Sequence, residues 1–98
     1  MSSRTITNAA SLLLPPNRLR KSWIVQNEDA TIDVFIKAET GTALTVSTTD
    51  HDHRVSGGGN FAVNDLTDGK EAILGRWTII AASGTPRISV FETEDIRR

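Results

Sequence analysis

The 98-residue chain fits one domain with one modest core. A formal net charge of −1 lacks the basic footprint of a nucleic-acid binder, and no apolar run approaches the roughly 20 residues that span a bilayer. With no cysteine, disulfides and thiolate metal sites are excluded, so association with further copies is the remaining source of added stability for so small a domain.

Residues 1–16 read as an extended N-terminal arm, and residues 17–98 as the folded domain. The arm opens with polar Ser2-Ser3-Arg4-Thr5, and Pro15-Pro16 ends any helix started by Ala9 to Leu14. That stretch lacks the basic start and cleavage site of a secretory signal, so the expectation is synthesis in the cytoplasm. Leu12, Leu13 and Leu14 are consecutive apolar residues on a short connector. Two readings stand: they cover one end of the core, or they dock onto a neighbouring subunit. On the second reading, exposed apolar surface marks an interaction site. Arg18, Arg20 and Lys21 form a basic cluster at the junction. They are ordinary surface charge or partners in intersubunit ion pairs, to which Arg is suited by its bidentate geometry.

From Ser22 onward the pattern is β. Trp23, Ile24 and Val25 are apolar on both faces, as in a central strand or one covered from outside. Over Thr31 to Ala38, Ile32, Val34, Ile36 and Ala38 alternate with Thr31, Asp33, Phe35 and Lys37, the period of a half-buried strand. Ala43 to Thr48 repeats the alternation with Leu44 and Val46 inward, and the Gly41-containing link predicts a hairpin. Phe61 and Val63 mark another short strand, and Asp68-Gly69 a turn. Trp77 to Ala82 and Arg87 to Thr93 form a last pair joined by Ser83-Gly84-Thr85-Pro86. About seven short strands and no helical period after Pro16 predict an all-β antiparallel sandwich or small barrel. The expected core comprises Ile32, Val34, Ile36, Leu44, Val46, Ile79 and Val90.

The residues able to carry chemistry are few. In extended chain, His51 and His53 of Asp50-His51-Asp52-His53 would face the same side. An imidazole pair beside carboxylates can hold a divalent metal, but no further ligands stand at recognisable spacing, and a solvated loop is the expectation. Ser56-Gly57-Gly58-Gly59-Asn60 precedes a strand rather than a helix and has no following Lys-Ser or Lys-Thr, so nucleotide binding is not expected. No nucleophile elbow and no His-Glu-x-x-His motif is present. No cofactor, metal or catalytic residue is assigned. Trp23 and Trp77 read as core packing.

The segment Pro16-Asn17-Arg18-Leu19-Arg20-Lys21-Ser22-Trp23-Ile24-Val25-Gln26-Asn27, followed by Ala30-Thr31-Ile32-Asp33-Val34-Phe35-Ile36, resembles the pattern in small β-sandwich structural proteins of tailed-bacteriophage virions. The run Gly75-Arg76-Trp77-Thr78-Ile79-Ile80-Ala81-Ala82-Ser83-Gly84-Thr85 with Arg87-Ile88-Ser89-Val90 resembles the last hairpin of the same group. About half of the chain carries the resemblance, and Asp50 to Gly75 departs from it. The resemblance implies a capsid decoration (cement) protein in the virion, a symmetric homo-oligomer with a trimer favoured, bound to the major capsid protein. A neck, tail or fibre-attachment component, and a carbohydrate- or receptor-binding sandwich using the loops around His51 to Asn60, are the alternatives. No membrane or nucleic-acid partner is expected.

Overall fold

A computed structural model of the protein describes residues 2–17, 20–39, 42–64 and 75–94. These contain eight strands and no helix: β1 Ser2–Thr5, β2 Ser11–Leu14, β3 Arg20–Asn27, β4 Val34–Glu39, β5 His53–Val55, β6 Asn60–Asn64, β7 Arg76–Ala81 and β8 Arg87–Glu94. They form two four-stranded sheets, in the order β1-β8-β3-β6 (the first sheet) and β2-β7-β4-β5 (the second). Every neighbouring pair is antiparallel. The pairs β1–β8, β2–β7, β3–β6 and β4–β5 nest as the rungs of one long ribbon rolled over on itself, which is the jelly-roll arrangement.

Period-two alternation sends one set of side chains from each sheet into the space between them. Trp23, Val25, Val63, Ile88 and Val90 descend from the first sheet, and Val34, Ile36, Val55, Trp77, Ile79 and Ala81 rise from the second. Trp23 and Trp77 meet across the gap with ring centroids 5.0 Å apart, and Phe61 packs beside both. As the period predicts, β3 is a central strand, between β8 and β6.

Three expectations are corrected, and one pair of open readings is decided. Residues 2–14 do not extend from the domain as an arm: β1 pairs with β8 and β2 with β7, so each adds an edge strand to one sheet. Leu13 and Leu14 belong to the subunit's own core, because a register irregularity between Leu12 and Leu14 lets both turn inward. The hairpin of β4 with 43–48 does not form. The two edges of β4 are taken by β7 and β5, and the segment folds over the outer surface of the second sheet instead, leaving Leu44 47% exposed. Finally, β7 and β8 lie in different sheets, so Ser83 to Pro86 crosses between layers instead of closing a hairpin. Gly84 takes a positive φ of 62° in that crossing, and Ile6 donates to the Pro86 carbonyl at 2.9 Å. Of the expected core, Val34, Ile36, Val46, Ile79 and Val90 are buried, Ile32 is half-buried and Leu44 is not buried. Asp68-Gly69 lies outside the described residues.

Candidate functional site

The corner between β4 and β5 gathers the residues that suggested a metal site. Asp52 donates its backbone N–H to the Ile36 carbonyl at 2.9 Å, and its carboxylate accepts from the Ala38 N–H at 2.8 Å. The side chain thus satisfies the strand edge where the β4–β5 ladder stops. His53 follows in the ladder opposite Ile36, turns into the sandwich and stacks on Phe61 at 4.0 Å. His51 precedes the strand and lies over Phe35 at 4.5 Å, with Nδ1 3.1 Å from the Ser47 carbonyl. Phe35 alternates with the inward Val34 and Ile36, so its ring is on the outer face. The two imidazoles therefore occupy opposite faces of one sheet, which corrects their expected same-side arrangement. Among the described residues no group of three or more His, Asp or Glu side chains converges on one point.

Residues 42–52 cover the outer face of the second sheet through ionic and hydroxyl contacts. The Lys37 ammonium donates to the Asp50 carboxylate at 2.7 Å and to Thr45 Oγ1 at 2.9 Å. Its pKa is raised, first by the Asp50 hydrogen bond. Glu39 accepts from the Thr45 N–H, Thr45 Oγ1 and Thr78 Oγ1. Burial pushes the Glu39 carboxyl up, but those hydrogen bonds and the Lys37 charge outweigh it and hold the group below its usual range. Arg76 donates to the carbonyls of Thr42 and Ala43, and Val46 is buried beneath the segment.

The glycine-rich loop is a packing element. Asp29 accepts from the N–H groups of Thr31 and Ile32, which holds its carboxyl below the usual range. The Asp29 carbonyl in turn accepts from Gly58 at 2.7 Å. A Cβ on Gly57 would lie 2.6 Å from the Ala30 carbonyl oxygen, so two backbones touch there. Asn27, fully buried, donates to the Ile32 and Val55 carbonyls and ties this loop to the turn at 28–33.

The basic cluster divides. Arg20 faces its own interior, with Nε 2.6 Å from Glu92 and donated bonds to the Pro15 and Gly75 carbonyls. Its guanidinium is withdrawn from the subunit's surface, so it is not ordinary surface charge. Lys21 is exposed, and Arg18 lies outside the described residues.

The exposed large apolar side chains among the described residues are Leu12, Leu44 and Phe91. Leu12, 38% exposed, pairs with Thr78 on the outer face of the second sheet, the side over which Leu44 also lies. Phe91, 43% exposed, stands on the outer face of the first sheet opposite Ile24. Of these, Leu12 was singled out from sequence. Phe91 was legible as an outward position in the strand from Arg87, between inward Val90 and Glu92. Compared with protein families, with curated proteins and with solved structures, the chain matches none.

Proposed function

We propose that the chain is a non-catalytic structural subunit of a phage virion, a decoration protein that binds the outside of the capsid and holds neighbouring shell proteins together. The observation that carries this reading is the placement of Leu12 and Leu44 on one outer side of the sandwich and Phe91 on the other. A protein that cements a shell has to touch more than one neighbour, and apolar contacts on two opposite faces supply that. The self-contained jelly roll supports the reading, since this architecture recurs in capsid modules, though fold alone does not assign function. Asp50, Asp52, His51 and His53 support it further, because each is engaged in holding strands and loop together.

The experiment is the copy number of the chain in purified particles of its parent phage, by calibrated mass spectrometry. Many copies per shell, lost when Leu12 and Leu44 are both replaced by Ser, is the expected result. A few copies per particle would make it a neck or tail component, and absence from particles would sink the virion reading.

A further inference from the structure

The two sheets end in four edge strands, β1 and β6 in the first and β2 and β5 in the second. Three of these edges are short, irregular or guarded by charge, the usual means of keeping an edge from pairing. β5 has three residues, and Asp52 at its entry is bonded to Ile36 and Ala38. β2 is irregular between Leu12 and Leu14, runs into Pro15, and its Leu12 and Leu13 carbonyls accept from Arg4. β1, which supplies that arginine, is four residues long. β6 has none of these devices. Asn60-Phe61-Ala62-Val63-Asn64 holds no charge and no proline, keeps an unbroken register with β3, and is the longest of the four. Its backbone phase follows from Asn27, which donates to the Gly59 carbonyl at 2.9 Å and extends the β3–β6 ladder by one pair. Antiparallel alternation then turns the N–H and C=O of Phe61 and Val63 toward β3, and those of Asn60, Ala62 and Asn64 away from the sheet. Asn60 and Ala62 are exposed, and no backbone group among the described residues bonds their outward N–H and C=O. Phe61 points into the sandwich yet is only half-buried at this edge.

We infer that β6 is a pairing edge, and that its occupant is β6 of a second copy in a two-fold antiparallel contact centred on Ala62. An open edge takes an extended strand that returns its hydrogen bonds in phase, and β6 meets that requirement against itself. About the axis Ala62 stands opposite Ala62 and Asn60 opposite Asn64. These are the positions whose N–H and C=O point outward, so every one of those groups is bonded. A shift by one residue would instead set outward groups against residues turned toward their own sheet. No like charges meet, because the strand has none, and the side chain on the axis is a methyl group. On the inner side Phe61 stands opposite Val63, which covers the part of the ring that the subunit leaves open. On the outer side the cross-strand row Phe91-Ile24-Ala62 continues into its copy as one apolar stripe. Main-chain bonds rather than buried area hold the pair, so the dimer is weak in dilute solution and firm where copies lie side by side. The inference goes beyond the virion reading and does not depend on it.

The test is sedimentation equilibrium of the full chain from low to high micromolar concentration, with amide hydrogen exchange at both ends of that range. The samples are wild type, Ala62→Pro, Ala62→Lys and Ser3→Lys, each checked for folding by thermal melting. Ala62→Pro removes an N–H that the subunit's own ladder does not use, and proline is tolerated at such edge positions. Ala62→Lys puts a charge on the axis and decides the matter if the proline variant does not fold. Ser3→Lys places the same charge at the opposite edge of the first sheet. A monomer–dimer equilibrium weakened at least tenfold by both Ala62 substitutions, and unchanged by Ser3→Lys, is expected. Exchange of the wild-type Asn60 and Ala62 amides should slow as concentration rises. A chain that stays monomeric throughout, a dimer indifferent to Ala62→Lys, or a dimer in which those two amides exchange as fast as in the monomer overturns the inference. The expected dimer in a chain absent from particles would uphold it while removing the virion reading.

Discussion

His51 and His53 stand two positions apart in the chain and on opposite faces of the same sheet, one against Phe35 outside and the other against Phe61 inside. A pair divided in this way cannot chelate. Adding Zn²⁺ in modest excess should leave the melting temperature of the wild-type protein unchanged. A zinc-dependent rise of several degrees that His51→Ala removes would show the rings brought to one side.

The histidines illustrate what period two can and cannot read. Their same-side expectation assumed extended chain from Asp50, but the ladder starts only at His53, because the Asp52 carboxylate caps the Ala38 N–H. Val34, Ile36, Ile79 and Val90 were legible because each alternates within a strand paired on both edges. β1 was not, since Ser2 to Thr5 contains no apolar side chain and joins the sheet through backbone pairing with β8. Leu13 and Leu14 bury together only through the irregularity in β2, which no composition signals. Leu44 alternates with Val46 as a strand would, yet that segment lies on top of a sheet and sends only Val46 downward. Whether Ser83 to Pro86 turns back or crosses over depends on which sheet receives β8, a tertiary choice that a short connector leaves open.

The buried guanidinium of Arg20 should be among the most sensitive polar groups. Arg20→Ala removes the Glu92 ion pair and strands the Pro15 and Gly75 carbonyls. Glu92 keeps a third of its side-chain surface and regains some hydration. The expected loss is therefore about 3 kcal/mol, the low end for breaking a buried pair. Urea unfolding measures it. A loss under about 1 kcal/mol would show that water reaches the site.

Two glycines in one loop should respond differently. Gly57→Ala drives a Cβ into the backbone at Ala30 and Thr31, an overpacking expected to cost about 1–3 kcal/mol. Gly58→Ala meets no neighbour, and its cost is the φ of 77°, about 1–2 kcal/mol for a left-handed residue with a Cβ. Only Gly57→Ala should also loosen the 28–33 turn. Hydrogen exchange at the Thr31 and Ile32 amides separates the two, and equal protection in both variants would contradict the close packing.

Asp29 and Glu39 both titrate lower in the folded chain than in the unfolded one. Each therefore contributes stability that is complete above the unfolded carboxyl range, roughly pH 4–5, and is lost as pH falls through the depressed folded values. Lys37 shifts the other way, so its contribution is complete below about pH 10 and is lost only as pH rises beyond it. Melting temperature should hold from pH 8 to 5 and fall steadily below pH 4. Glu39→Gln should start lower at pH 7 and fall less steeply in acid. A parallel acid limb in that variant would remove Glu39 from the account.

Deleting residues 2–14 should abolish folding rather than release a domain without its arm. The deletion takes away β1 and β2, hence the outer neighbours of β8 and β7. It also removes Ile6, Leu13 and Leu14 from the core. Burial of three such side chains contributes about 4.5–9 kcal/mol in all. A domain of this length has only about 5–15 kcal/mol of net stability. Arg4, whose guanidinium crosses from the first sheet to the Leu12 and Leu13 carbonyls of the second, goes with them. The contrasting variant is Leu12→Ser, which changes one exposed side chain and should alter stability by no more than about 0.5 kcal/mol. Circular dichroism and melting compare the two. A truncated chain that melts cooperatively near the wild-type temperature would show that both edge strands are dispensable, and would restore 2–14 as an element available to a neighbour.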